Sequence, residues 1–120
     1  MPNENDTPAA RTVLVTGATR GIGRAIAERF VAAGDRVATL SRGSDVPDGV
    51  LAVPGDVTDT AAIDAGFAAI EAELGPVEVL VANAGITRDT LLMRMSDEDF
   101  DAVLDVNLAG AFRVARRASK

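Results

Sequence analysis

The sequence contains no cysteine, no histidine and no tyrosine, and its only lysine is the last residue, Lys120. Without cysteine, neither a disulfide nor a thiolate metal site can form, and no metal is expected. These four residue types are the side chains most often used to move protons or attack carbonyls near neutral pH. The carboxylates that remain sit mostly where helix starts, turns and solvated faces would place them. The chain is therefore better equipped to hold a cofactor than to run a reaction. No stretch approaches the roughly 20 apolar residues of a membrane span, and residues 1–10 hold no apolar run that would make a secretory signal. Basic side chains are in the minority: twelve Lys and Arg against eighteen Asp and Glu give a net charge of −6. That balance argues against general binding of nucleic acid or of an anionic membrane, while leaving room for a local basic patch. A cytoplasmic protein with neither nucleic acid nor membrane as partner is the expectation.

What is present suits one α/β domain. The 120 residues are 48% hydrophobic, enough for a core. The chain is organised around Thr16-Gly17-Ala18-Thr19-Arg20-Gly21-Ile22-Gly23. Before it runs Thr12-Val13-Leu14-Val15, which reads as a buried strand. After it, Ile22, Ile26, Phe30 and Ala33 are spaced for one face of a helix. Strand, glycine-rich turn and helix in that order make a phosphate site with a physical basis. Glycine lets the backbone turn sharply and approach a ligand, and the free N–H groups at a helix start favour an anion. The spacing is G-x-x-x-G-x-G, and no Gly-Lys-Ser/Thr follows to make a P-loop. A plain strand-to-helix turn is the alternative use of such glycines.

Taken in order, residues 1–10 read as a polar, mobile leader. Residues 11–16 form the first strand, and the first helix runs over 22–33, closed by Gly34. Further strands are expected at 36–41, 50–53 and 77–82. A second helix carries Ile63, Phe67, Ile70 and Leu74 and stops at Gly75-Pro76, and a long final helix starts at Ser96 with Asp99 three residues on. Strands and helices alternating with short links imply a parallel sheet with right-handed crossovers, a Rossmann-like doubly wound fold of about four strands.

Three more signals fall just after strands, where ligands of such folds bind. At Ser41-Arg42 an acid would pair with a free ribose 2′-hydroxyl, but Arg42 stands there, and Arg20 in the glycine turn adds a second guanidinium. Two cations without a carboxylate favour a 2′-phosphate, hence NADP over NAD; a solvated loop charge is the plainer alternative for Arg42. Asp56 could accept from an adenine amino group while Val57 covers the ring, though Gly55-Asp56 is also an ordinary turn and Asp59 a plausible helix cap. In Asn83-Ala84-Gly85 small residues admit a ligand and the Asn amide can bridge strands, though Asn–Gly turns are also common as plain structure. On the final helix Phe100, Val103, Leu104, Leu108, Ala111 and Ala115 mark an apolar stripe, interrupted by Asn107. A buried amide there is either a satisfied core group or one aimed at a site. Arg113, Arg116, Arg117 and Lys120 share another face, read as solvated, with a docking patch for an acidic partner as the alternative.

These motifs (T-G-A-T-R-G-I-G at 16–23, D-V at 56–57, N-A-G at 83–85 and N at 107) resemble the short-chain dehydrogenase/reductase family. Residues 83–95 and 104–112 look more specifically like its 3-oxoacyl-[acyl-carrier-protein] reductases. The resemblance implies that Gly17, Thr19, Arg20, Gly21, Ile22 and Gly23 contact the phosphates of NADP(H), and that Arg42 binds the 2′-phosphate. By the same resemblance Asp56 and Val57 hold the adenine, Asn83, Ala84 and Gly85 face the nicotinamide ribose, and Asn107 is a catalytic residue that organises a proton relay through water. It further implies an acyl-carrier-bound 3-oxoacyl substrate and a homo-oligomer, a tetramer at full length. The family's Ser and Tyr-x-x-x-Lys would lie downstream of Asn107, so residues 11–120 are expected to be the cofactor-binding half of a reductase, inactive alone. A non-catalytic dinucleotide-binding or interaction module, or a reductase of sugars or steroids, is the alternative. A downstream Ser and Tyr-x-x-x-Lys in the reading frame would separate the first from the second.

Overall fold

A computed structural model of the chain describes residues 9–86 and 92–120. Most of the expected leader and part of the 83–95 segment lie outside the described residues. The element order is β1 (Thr12–Thr16), α1 (Gly21–Ala32), β2 (Arg36–Ser41), β3 (Val50–Pro54), α2 (Thr60–Leu74), β4 (Val79–Val81), a 3₁₀ turn (Leu92–Arg94) and α3 (Asp97–Leu104). A π-helical turn (Asp105–Ala109) then leads directly into α4 (Gly110–Ala118).

The four strands pair in the order β3-β2-β1-β4, and every pairing is parallel. Parallel strands require crossovers: α1 leads from β1 to β2 and α2 from β3 to β4, whereas residues 42–49 join β2 to β3 without a helix. β1 is buried at all five positions because both its faces are covered, which explains its uninterrupted apolar and β-branched reading. On one face Val13, Val15 and Val37 pack with Ala18 and Ala27. On the other, Leu14, Leu40 and Val53 pack with Ile63, Phe67 and Ile70 of α2 and Val114 of α4. The expected doubly wound arrangement is thus present. β4 is shorter than the expected 77–82, since its register with β1 runs only from Val13↔Val79 to Val15↔Val81.

Local chemistry sets the helix ends. Asp59 caps α2 by accepting from the N–H groups of Ala61 and Ala62, and Ser96 caps α3 by accepting from the Asp99 N–H. At the end of α1 the Gly34 and Asp35 N–H groups donate to Val31 and Phe30 carbonyls, with Gly34 at φ +91. Two expectations about helix faces need correcting. Ile26 and Phe30 pack against the core as expected, but Ile22 is 76% exposed at the start of α1 and Ala33 is exposed at its end, and the fully buried positions are Gly23 and Ala27. The final helix is also turned differently: Gly110 and Val114 face the sheet, whereas Phe100, Leu104 and Leu108 are exposed together with Phe112.

Candidate functional site

The segments following β1, β2, β3 and β4 converge on one cavity of about 590 Å³, a size that suits a small ligand or cofactor. Its floor is made by the backbone of the glycine turn. The Gly17 N–H donates to the Leu40 carbonyl, and the Ala18 N–H donates to Thr39 Oγ1, so the turn is tied to β2. Gly17 (φ +71) and Gly21 (φ +60) adopt the left-handed region that other residues avoid. Gly17 also lies against Ala84, whose Cα would be 3.0 Å from a Cβ there.

α1 begins at this turn with an unusual feature. Its N-cap, Arg20, is extended and gives no side-chain hydrogen bond to the first turn, which carries no acid. Gly21 and Ile22 line the cavity there. A helix start without a side-chain cap leaves donor groups and a positive dipole end for an anion. Gly23 is different: it is buried behind the turn and does not line the cavity. A Cβ on Gly23 would come closer than 3.0 Å to both Asn83 Nδ2 and the Gly17 carbonyl oxygen. Its smallness brings α1 and the β4 end together.

The Asn83-Ala84-Gly85 segment is held from two sides. Asn83 Nδ2 donates to the Gly17 carbonyl at 3.2 Å, which is the expected bridge between strand ends. The sequence reading missed the other anchor, Thr16: its Oγ1 accepts from the N–H groups of Asn83 at 2.9 Å and Ala84 at 3.0 Å. A threonine closing a β-branched strand carries no separate signal of such a role. Asn107 adds a third hold, because its Oδ1 accepts from the Ile86 N–H at 2.8 Å and its Nδ2 donates to the Ile86 carbonyl at 2.9 Å. Asn107 is exposed rather than buried in an apolar stripe, and its amide is spent on the Ile86 backbone. It does not line the cavity, although its neighbour Val106 and its partner Ile86 do. It sits within the π turn, a distortion frequent at functional sites.

Arg20 and Arg42 both line the cavity, and among the described residues neither side chain forms a hydrogen bond or ion pair. Ser41 Oγ donates to the Gly43 carbonyl at 2.7 Å and shapes the turn around Arg42. Asp56 uses one carboxylate oxygen to accept from the Thr58 N–H and hydroxyl. The Thr58 N–H, then its hydroxyl and the guanidinium charges of Arg42 and Arg113, hold the Asp56 carboxyl below its ordinary value of 3.8, against the opposing effect of partial burial. A lowered folded pKa stabilises the fold above 3.8, and that contribution is lost only as pH falls through the lowered value. Val57, expected over an adenine face, lines the cavity but is only 5% exposed.

The basic face of the last helix is not simply solvated. Arg113 donates to the Val57 carbonyl at 2.9 Å, and Arg117 pairs with Glu71 and Asp64 and covers the Phe67 ring. Burial of Val114 between them turns both guanidiniums toward neighbouring elements.

A parallel sheet whose carboxyl ends frame such a cavity, with a glycine turn opening on a helix start, defines a Rossmann-like α/β unit. The short chain dehydrogenase model matches residues 11–120, and the chain belongs to that family. It is 56% identical over 111 residues to the 3-oxoacyl-[acyl-carrier-protein] reductase MabA of Mycobacterium tuberculosis, covering 92% of this chain and 45% of that protein. Identity to the 3-oxoacyl-[acyl-carrier-protein] reductase FabG of Escherichia coli is 46% over 114 residues, covering 88% and 47% respectively. The chain thus spans less than half the length of these relatives. The ligand-free aldohexose dehydrogenase AldT of Thermoplasma acidophilum superposes with a TM-score of 0.87 at 38% identity, covering 92% of this chain and 43% of that one. A 3-ketoacyl-(acyl-carrier-protein) reductase from Brucella melitensis, complexed with NADH, superposes at 0.82 with 31% identity, covering 89% and 48%.

Proposed function

We propose that this chain is the cofactor-binding half of an NADPH-dependent 3-oxoacyl-[acyl-carrier-protein] reductase of fatty-acid elongation, a cytoplasmic enzyme. The observation that carries the reading is the cavity that joins a helix start without a side-chain cap to the guanidiniums of Arg20 and Arg42, neither of which forms an ion pair among the described residues. That donor set fits a dinucleotide carrying a 2′-phosphate. Gly17, Thr19, Arg20, Gly21 and Ile22 would take the phosphates, with Gly23 holding the turn in place behind them. Arg20 and Arg42 would flank the 2′-phosphate, Asp56 and Val57 the adenine, and Asn83, Ala84 and Gly85 the nicotinamide ribose. When bound, the dinucleotide supplies the hydride that reduces the 3-oxo carbonyl. The residues of this chain bind and orient it. The 56% identity to a 3-oxoacyl-[acyl-carrier-protein] reductase supports the carrier-bound substrate.

Arg42→Asp tests the cofactor assignment. A charge-assisted hydrogen bond contributes about 1.5–3 kcal/mol, so its loss should erode the preference for NADPH over NADH by roughly tenfold to a hundredfold. Because the Brucella relative carries NADH, Arg42 is proposed to set preference and not the ability to bind. Equal affinities for the two cofactors in the unmodified protein would sink the assignment.

We place Asn107 in the machinery as the residue whose helix turn positions a water for proton relay. In the full-length enzyme, Asn107→Ala should lower turnover by a large factor. NADPH affinity should stay near its original value, and the exposed position limits the stability loss to the roughly 0.5–1.5 kcal/mol of an ordinary hydrogen bond for each one removed. A folded variant with ordinary turnover would show that Asn107 only braces Ile86. A homo-oligomer, a tetramer at full length, belongs to the same proposal, and the exposed apolar row of Phe100, Leu104, Leu108 and Phe112 is a surface that a further part of the enzyme or a partner subunit would cover. The similarity to AldT supports a second reading, a reductase of another carbonyl compound; a full-length protein that turns over sugars and leaves 3-oxoacyl thioesters untouched would select it.

A further inference from the structure

The residue least explained by its sequence position is Arg113. Its side chain is only 21% exposed, and its guanidinium reaches two separate elements. Nη1 donates to the Val57 carbonyl at 2.9 Å and to the Asp105 carbonyl at 3.3 Å, while Nη2 donates to the Asp105 carboxylate. Val57 belongs to the loop after β3, and Asp105 opens the π turn. The Asp105 carbonyl also accepts from the Gly110 N–H that closes that turn. Val57 lies directly against the same turn, since a Cβ on Gly110 would sit 2.6 Å from Val57 Cγ2. At the middle of the turn, Asn107 makes both of its amide hydrogen bonds to the Ile86 backbone.

We infer that Arg113 is a positioning residue that holds the Val57 loop and the Asn107 turn as one unit, so that a nucleotide seated on Asp56 and Val57 orders the turn bearing Asn107 and, through it, Ile86. The inference rests on the dinucleotide reading of the cavity. Arginine suits the task because its planar fork carries several donors in fixed directions, whereas lysine offers one ammonium on a flexible stem. The Arg113 charge also reaches Asp56 in the same loop, where it adds the smallest share to a lowering due first to the Thr58 N–H. A chain of contacts thus runs from Val57 through Arg113 to Asp105, and from Asn107 to Ile86. Among the described residues no equivalent link is made by Arg116, which lies over the Phe112 ring.

The test is amide hydrogen exchange on the purified protein with and without adenosine 2′,5′-bisphosphate, a probe with adenine and a 2′-phosphate but no nicotinamide. In the unmodified protein the probe should slow exchange at residues 105–110 and at Ile86 by roughly fivefold or more, the low end of ordinary coupling between sites. In Arg113→Met the probe should still slow exchange at residues 55–58, with the protection at 105–110 and Ile86 lost. Arg113→Lys, which keeps the charge and most of the stem, should lose it too, and carries the test if the Met variant does not fold. A folded variant that binds the probe and retains full protection of the turn would overturn the inference, as would protection confined to residues 55–58 in the unmodified protein. An unmodified protein that does not bind the probe would overturn the dinucleotide reading as well.

Discussion

The 120-residue chain, purified by itself, is expected to show no measurable reduction of a 3-oxoacyl thioester even when supplied with NADPH. Reduction of the carbonyl leaves an oxygen that must be protonated, and the sequence has neither histidine, tyrosine nor cysteine to do so. Lys120, at the last position of the sequence, follows Ser119, which caps the end of α4. The acid at the cavity is no substitute, because the Thr58 hydrogen bonds and nearby guanidiniums hold Asp56 ionised below the usual carboxylate range. A positioned general acid typically contributes about 10²–10⁴ in rate, and that factor is missing. The check is a coupled measurement of NADPH consumption and 3-hydroxyacyl product with the chain alone. Matched consumption and product at the roughly 1–10³ s⁻¹ of ordinary enzymes would mean that a proton donor exists which the residue types do not suggest.

A second large effect is expected at Gly23. Alanine there would push a methyl group against the Asn83 amide and the Gly17 carbonyl oxygen, both closer than 3.0 Å. The carbonyl belongs to the glycine turn and cannot rotate away without moving the cradle itself. The Asn83 amide is engaged with that same carbonyl. α1 must therefore shift away from the β4 end, at an overpacking cost of about 1–3 kcal/mol. Gly23→Ala should lower the unfolding midpoint and weaken NADPH binding by roughly tenfold or more, since about 1.4 kcal/mol lost from the cradle is a tenfold change. Gly21→Ala makes the contrast. Nothing lies within 4 Å of its Cβ, but φ is +60, so its cost is backbone strain of about 1–2 kcal/mol without a clash in the core. The Gly21 variant should therefore retain a native-like core while Gly23→Ala does not. A Gly23→Ala protein with unchanged stability and affinity would show that α1 is not held as closely as described.

The parts of this molecule that were legible in its sequence are those where residue type and backbone geometry constrain one another. The β1–turn–α1 unit could be read because Val13 to Val15 are buried on both faces and the glycines stand where φ turns positive or where helix and strand nearly touch. The Asn83 bridge could be read for the same reason, since a short amide between small residues at a strand end has few other partners. The face of the final helix could not. Phe100, Leu104, Leu108 and Phe112 repeat every four residues, but so do Val106, Gly110, Val114 and Ala118. Periodicity marks two rows and does not say which meets the sheet. Close packing decides it: Gly110 is the position that lets Val57 approach, a requirement invisible to hydrophobicity. The orientation of Arg113 and Arg117 follows from that choice. The π turn was equally hidden, because residues 105–109 contain neither proline nor glycine to mark a break.

The cavity is proposed to bind a dinucleotide and to prefer one carrying a 2′-phosphate. Calorimetric titration of the purified protein with NADPH, and separately with NADH, tests it most directly. Saturable one-to-one binding of both is expected, with NADPH tighter by at least the tenfold that about 1.4 kcal/mol supplies. Binding of neither, or binding of both with the same affinity, would contradict it.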